Sequence, residues 1–410
     1  MSLAADKVQK RQLRQYFMIT GNYWAFTLTD GALRMMVVLH FHSLGYSPLA
    51  IAMLFLFYEF FGVVTNLVGG WIGARAGLNT TMNLGLGLQV AALFALTIHP
   101  DWLTISWVMA AQALSGIAKD LNKMSAKSSV KYIVKAADQQ QQENKLFKWV
   151  AALTGSKNAL KGVGFFLGGF LLTTLGFKGA ALAMALALIQ VWVFSAAMLT
   201  EDLGKAKYKP KFKDMLSKSR AINVLSSARM FLFGARDVWF VVALPVFLTA
   251  EFGWTFWQTG GFLAFWIIGY GVVQGFAPRL VARNDQVPHP ASATFFWASI
   301  LTLIPIAIAL TVNFNAWILL VGLLVFGVIF AINSSLHSYL IVSYANADGV
   351  SLDVGFYYMA NALGRLIGTV LSGWVFQTYG LVACLWVSAG FVALAALISL
   401  ALPKQSAVDH

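Results

Sequence analysis

The stretch NALKGVGFFLGGFLL, Asn158 to Leu172, is echoed by NALGRLIGTVLSGWVF, Asn361 to Phe376. One gapped residue aligns Lys161 with Arg365, Gly164 with Gly368 and Gly169 with Gly373. A second echo puts Asn66 opposite Gln274 and Arg75 opposite Arg283 at a shared offset. A chain that repeats itself half its length apart describes a duplicated architecture. Each repeat of the first echo is mostly apolar, with an asparagine at its start and a base in its first turns, which sets the terms on which the rest of the sequence is read.

The 410 residues are 59% hydrophobic and only 11% charged. One bilayer span takes about 20 apolar residues, so the length accommodates about twelve spans with short loops and leaves no soluble domain. The expected spans run Tyr16–Phe41, Pro48–Ala74, Thr80–Ile98, Trp102–Lys123, Trp149–Leu175 and Gly179–Leu199. They continue as Asn223–Ala250, Phe256–Val281, Ala291–Val312, Ala316–Tyr344, Gly355–Thr378 and Leu381–Leu402. The fold class is therefore all-α and polytopic. Six spans fall in an N-terminal half, 1–200, and six in a C-terminal half, 221–410, joined by a basic linker, 201–220. The first apolar stretch is longer than a secretory signal core and has no small-residue cleavage site after it, so it reads as a retained span.

The net charge of +13 would suggest nucleic acid in a soluble chain; here its distribution matters more. Lys7, Lys10, Arg11 and Arg14 precede the first span, and Lys205, Lys207, Lys209, Lys211, Lys213, Lys218 and Arg220 fill the linker. Lys127, Lys131, Lys135, Lys145 and Lys148 follow the fourth span, and Arg75, Arg279 and Arg283 follow the second and eighth. Of the alternate loops only that at Lys178 is basic. Positive-inside asymmetry places both termini and the linker in the cytoplasm. The Gln139–Gln142 run belongs to a cytoplasmic connector, as a solvated loop or short surface helix.

Arg34, Lys119, Lys157, Lys161, Arg229, Arg236 and Arg365 fall inside spans, and Lys123 near the end of one. A cation at bilayer centre costs roughly 3 kcal/mol on insertion scales, so such residues face a bundle interior or a water-filled path. Asp30 and Arg34 stand one turn apart and can neutralise each other. Lys157 and Lys161 are also one turn apart, with no acid on their helix. Arg229 and Arg236 share a face at i,i+7, with Asp237 pointing elsewhere on the helix. Tyr358, Asn361 and Arg365 form another polar stripe, and Asp120 offers Lys119 and Lys123 a counter-ion. Each cation also has a bland reading, as a structural salt bridge or a snorkelling interfacial residue. The count favours a path: four intramembrane acids, Asp30, Glu59, Asp120 and Asp237, face roughly eight bases, and a multiply charged anion is the economical complement. Arginine forks suit oxyanions and lysine adds compact charge.

Glu59, on the aromatic helix LFLFYEFFGVV, is one proton-coupling candidate, with Asp30 and His337 as others. Cys384 is the single thiol, so no disulfide, multi-thiolate metal site or trivalent-arsenic cage can form. GVGFFLGG lacks the preceding strand and soluble fold that a nucleotide loop needs. No cofactor, metal or enzymatic chemistry is implied. The glycines around Lys161 are instead expected to let a neighbouring helix pack close.

Two six-span halves on a basic linker resemble the layout of a major facilitator superfamily transporter, with the site near mid-membrane. GGWIGARAG, Gly69 to Gly77, resembles that superfamily's cytoplasmic gate motif, making Arg75 and its echo Arg283 gate candidates. Ala74 stands where an acid is usual and Asn79 where a base is usual, which puts the usual gate salt bridge in doubt. More specifically, NYWAFTLTDGALRM from Asn22, LFYEFFGVVTNLVGGW from Leu56, SGIAKDLNKMSAKS from Ser115 and LTGSKNALKGVGFFLGG from Leu153 resemble the ArsJ family of organoarsenical efflux permeases. The resemblance implies a bacterial inner (cytoplasmic) membrane protein exporting 1-arseno-3-phosphoglycerate and conferring arsenate resistance. A glyceraldehyde-3-phosphate dehydrogenase would be its functional partner, supplying the substrate. An ester with a phosphate and an arsenate suits a cationic path without a thiol cluster. Arg34, Lys157, Lys161, Arg236 and Arg365, with Asn361, Tyr358, Lys119, Lys123 and Arg229, are the expected substrate contacts. An organophosphate or sugar-phosphate antiporter would use the same cations, and a non-transporting receptor or scaffold would make them structural. A drug exporter for cationic substrates would want facing acids, against the basic surplus.

Overall fold

The computed structural model describes residues 3–46, 54–133, 139–199, 204–206, 211, 216, 218–254, 256–281, 290–311 and 316–403. Arg283, Lys135, Lys207, Lys209 and Lys213 lie outside the described residues, as do the expected start of the second span at Pro48 and end of the ninth at Val312. The regular elements among the described residues are all helices, a short 3-10 turn at Pro100–Trp102 and α1 (Leu3–Ser43), α2 (Leu56–Ala76), α3 (Leu78–Ala95), α4 (Ile105–Ile133), α5 (Gln139–Met198), α6 (Arg220–Phe240), α7 (Ala243–Glu251), α8 (Phe256–Val281), α9 (Pro290–Thr311), α10 (Ala316–Tyr344) and α11 (Val350–Ser399).

Two of these are too long for one crossing. The apolar runs Gln141–Met198 and Val350–Ser399 contain 58 and 50 residues, against about 20 for a span. Each is kinked at a glycine whose positive φ a side chain would strain: Gly176 at 68° and Gly380 at 78°. The kinks fall in the gaps expected between spans five and six and between spans eleven and twelve. The glutamine run proves to be the first turn of α5.

The seventh span departs from the expected single rod. Pro245 has no N–H for the Val241 carbonyl, and its ring crowds that carbonyl, so the helix breaks at Val241–Val242 and resumes as α7. The freed N–H groups of Val242 and Ala243 donate to the Ser372 hydroxyl of α11, at 3.3 and 3.1 Å. Backbone irregularity at membrane depth is tolerated only where another group satisfies it.

The chain divides into two compact units. The first contains residues 1–135, 160–217 and 345–356. In it α4 packs against α1, α2 and α3, and the lysine-glycine end of the first echo lies against α1. A Cβ on Gly31 would stand 2.8 Å from the Lys161 carbonyl oxygen, and one on Gly164 2.7 Å from that of Leu28. The second unit contains 136–159, 218–344 and 357–410. Its core is aromatic: Trp239 meets Phe326 and Trp266 edge-on, and Tyr270 stacks on Trp266. Here the second echo segment lies against α6, and a Cβ on Gly368 would stand 2.7 Å from the Gly234 carbonyl oxygen. The aligned glycines Gly164 and Gly368 thus do the same work, each bringing its helix to backbone distance of a partner glycine.

Candidate functional site

The sequence-predicted residues fall into two groups, one in each unit. In the first, Tyr58 of α2 is the centre. The Arg34 guanidinium lies 3.9 Å and the Lys119 ammonium 3.7 Å from its ring centroid. Both cations thus lie against the one ring, a contact worth up to about 2 kcal/mol per desolvated cation. The Tyr58 hydroxyl donates to Asp30 Oδ1 at 2.6 Å. Arg34 pairs across helices with Glu59, at 3.0 Å. The expected Asp30–Arg34 pairing along one helix is therefore replaced by two interhelical contacts that Tyr58 and Glu59 supply. Asp120 is the counter-ion expected of it, 2.5 Å from Lys123 and 3.9 Å from Lys119. Arg34, Lys119 and Lys123 are thus set among three carboxylates, Asp30, Glu59 and Asp120. Lys161 is half-buried in the same unit.

The second group is balanced differently. Asp237, fully buried, lies 2.5 Å from Arg236 and 3.1 Å from Arg365. The expectation that Asp237 points away from its neighbour is corrected: adjacent Cβ atoms diverge on a helix, but the long arginine stem curls back to the carboxylate. Arg229 has neutral acceptors. Its Nε donates to Asn361 Oδ1 at 2.9 Å, and a terminal nitrogen donates to the backbone oxygen and hydroxyl of Ser334, both at 3.2 Å. Arg229 also lies 3.8 Å from the Phe233 centroid and Arg236 4.9 Å from the same ring. Within the spans of this unit, leaving aside Arg279 in the last turn of α8, the sequence provides one acid, Asp237, for three arginines, so a surplus of two positive charges remains before Lys157 is counted.

A hydrogen-bonded chain runs through the same unit. Lys157 donates to Asn158 (3.1 Å), Asn158 to Gln274 (2.5 Å), Gln274 to Tyr270 (2.9 Å) and Tyr270 to Ser334 (2.8 Å), where Arg229 also donates. Tyr358 is buried with its ring 5.0 Å from Tyr357, and His337 is buried on α10. Nothing in the sequence pattern picks out Tyr58, Phe233, Tyr270 or Ser334. In a chain with 32 Phe and 12 Tyr, an aromatic beside a cation carries no signal, whereas Gln274 stands out only as the echo of Asn66.

The gate motif meets the start of α11 inside the first unit. Ser351 donates to the Gly70 carbonyl at 2.9 Å, and a Cβ on Gly70 would stand 3.1 Å from the Gly355 Cα. Arg75 is exposed, its guanidinium 5.3 Å from the Trp71 centroid. The end of α4 closes on the same segment: Lys131 donates to the Ala345 carbonyl, and Tyr132 to that of Ala347 at 2.9 Å.

Burial pushes the Lys131 ammonium, beyond the membrane-spanning part of α4, down to about 8, against an opposing pull from Asp353. Its ordinary value is 10.5. Between these values the unfolded chain holds the proton and the folded one does not, so this group's contribution to stability rises with pH across that window. Amine acylation of Lys131, followed by mass spectrometry, is expected to reach half its maximum near pH 8. Asp353→Asn, which removes the opposing pull, is expected to move that midpoint lower; a midpoint near 10.5 in both proteins would contradict the placement.

Solved structures share this architecture. The human organic anion transporter MFSD10 (TETRAN) superposes with a TM-score of 0.72 at 16% identity, covering 94% of this chain and 99% of that one. A bacterial homologue of the iron transporter ferroportin, in an outward-facing state, gives 0.71 at 15%, covering 94% and 98%. An E. coli fucose:proton symporter, FucP, gives 0.72 at 11%, covering 96% and 100%. At such identities the likeness is one of fold. No curated protein matches the chain. Residues 16–351 match the Major Facilitator Superfamily. The all-α polytopic architecture, the intramembrane charges and this match over most of the length agree: the chain is a multi-pass membrane protein of the transporter type and belongs to the Major Facilitator Superfamily.

Proposed function

We propose that this protein exports an anionic organoarsenical, 1-arseno-3-phosphoglycerate, across the bacterial inner membrane and so confers arsenate resistance. The observation that carries the reading is the charge imbalance of the second unit, three arginines with one shared carboxylate. An ester bearing two anionic groups, a phosphate and an arsenate, is the natural complement of that surplus. The ArsJ resemblance of the four N-terminal stretches supplies the substrate's identity, and the fold shared with a human organic anion transporter is consistent with the class.

Residues 1–200 and 221–410 act as two halves joined by the linker 201–220, with both termini cytoplasmic. The anion enters from the cytoplasm and is gripped by Arg34, Lys157, Lys161, Arg236 and Arg365. Asn361, Tyr358, Lys119, Lys123 and Arg229 support them. Rocking of the halves releases it outside. Arg75 and Arg283 serve the inward gate, and Glu59, Asp30 or His337 carries any coupled proton. A glyceraldehyde-3-phosphate dehydrogenase supplies the substrate from arsenate.

Everted membrane vesicles test this directly. Given the dehydrogenase, glyceraldehyde 3-phosphate, NAD and arsenate, they are expected to accumulate arsenate and 3-phosphoglycerate in equal amounts. Accumulation of the phosphate-derived product as readily, when phosphate replaces arsenate, would favour an organophosphate carrier. No accumulation of either, with the protein well inserted, would favour a non-transporting role.

A further inference from the structure

Arg14, Met18 and Gly21 follow one another on α1 at i, i+4 and i+7, and so share one face of that helix. Together with the second half of α5, beyond the kink at Gly176, this face borders a groove of about 820 Å³ inside the first unit. Small-molecule sites run from about 300 to 1,000 Å³. Phe17, 58% exposed, and Phe194, 56% exposed, form its apolar walls. Gly21 leaves the floor open, since a Cβ there would meet nothing within 4 Å.

The walls are tied together beneath the groove. Asn22 Nδ2 donates to Ser195 Oγ at 2.8 Å, and Ser195 donates to Asn83 Oδ1 at 2.6 Å. These bonds join α1, α5 and α3, so the groove is already built without an occupant. Gln190 adds one neutral amide to the lining, and none of the lining residues is acidic.

Two observations identify what fills it. Both walls belong to segments apolar enough to span a bilayer, Tyr16–Phe41 by the sequence and Gln141–Met198 by the helix itself, so the exposed rings meet acyl chains rather than water. Arg14 is exposed just before the first of these spans, at the level of the headgroups, where a guanidinium can fork onto a phosphate. The sequence upstream adds Lys7, Lys10 and Arg11 against the single acid Asp6. That balance favours a headgroup of net negative charge over a zwitterion. From Arg14 to Gly21 the helix rises about 10 Å, enough to pass from headgroup to acyl chain.

We infer that this groove binds one anionic glycerophospholipid, with its phosphate on Arg14 and an acyl chain laid along Phe17, Gly21 and Phe194. None of these residues is among those assigned to the transported anion. Bound there, the lipid bridges α1 and the second half of α5 and stabilises the first unit.

The test uses no transported substrate, so it stands or falls apart from the export reading. The full chain, purified in detergent and stripped of lipid, is titrated with phosphatidylglycerol or with phosphatidylethanolamine of the same chains and followed by native mass spectrometry. One phosphatidylglycerol is expected to be retained, with an apparent Kd at least about fivefold lower than that of phosphatidylethanolamine, the effect of one basic residue at an anionic surface. Arg14→Gln should erase that difference. Gly21→Leu, which places a better helix former in open space, should weaken the binding of both lipids. Gly373→Leu, at another glycine whose Cβ would have no neighbour within 4 Å, should change neither. Because Arg14 is exposed, Arg14→Gln decides the matter if the leucine variant folds poorly. Equal retention of the two lipids, phosphatidylglycerol binding unchanged in Arg14→Gln, an equal loss in Gly373→Leu, or displacement of the lipid by glycerol phosphate alone would each overturn the assignment.

Discussion

Asp237→Ala is expected to be among the most damaging single substitutions in the chain. It strips the shared carboxylate from Arg236 and Arg365, leaving two guanidinium groups with 14% and 26% side-chain exposure in an apolar bundle. Breaking a buried pair from one side costs about 3–5 kcal/mol, because the partner's charge is left uncompensated. The loss should read as lower membrane abundance and a fall in the unfolding midpoint of the purified protein. Adding Arg365→Leu to Asp237→Ala removes one of the two stranded charges and is expected to recover part of that stability. If the export reading holds, the double variant will be better folded yet inactive. Equal midpoints for Asp237→Ala and the wild-type chain would mean that the carboxylate does not bridge the two arginines.

Gly368→Ala should be nearly as harmful, although alanine is the better helix former by about 1 kcal/mol. Its Cβ would meet the Gly234 carbonyl oxygen at 2.7 Å and the Asp237 Cβ at 3.0 Å. Backbone cannot step aside as a flexible side chain does, so α6 and α11 must separate, at a cost of about 1–3 kcal/mol. The separation also pulls Arg365 from Asp237. A Cβ on Gly373, five residues further along the same helix, would have no neighbour within 4 Å, and Gly373→Ala is expected to be neutral or mildly stabilising. Unfolding midpoints of the two variants, measured together, separate close packing from helix propensity. A loss at Gly373 as large as that at Gly368 would count against the packing account.

The glycine contacts show how far the sequence can be read. The alignment of Gly164 with Gly368 anticipated a shared role, and both stand against a glycine of another helix. Kinks at Gly176 and Gly380 fall in the gaps that hydropathy placed between spans. The break at Val241 was signalled by Pro245 but hidden by continuous hydrophobicity, because the element that makes it tolerable, Ser372, is 130 residues away.

The charges were legible as a set but not in their pairing. Counting acids against bases predicted a surplus, yet not that two cations would lie against the Tyr58 ring, nor that the surplus would sit with Arg229, Arg236 and Arg365. Helical-wheel reasoning places Cβ atoms, and it misjudged Asp237 because an arginine head lies far from its Cβ. The chain from Lys157 through Gln274 and Tyr270 to Ser334 joins residues of three helices, α5, α8 and α10. No periodicity within any one helix records it.

The central claim is best tested by arsenate accumulation in arsenic-sensitive bacteria that express the chain with or without a glyceraldehyde-3-phosphate dehydrogenase partner. A Lys161→Ala variant of verified membrane abundance belongs beside it. The account predicts lower accumulation only when the partner is present, and loss of that effect in the variant at equal abundance. Accumulation unchanged by the chain under every condition, with the protein fully inserted, would contradict it.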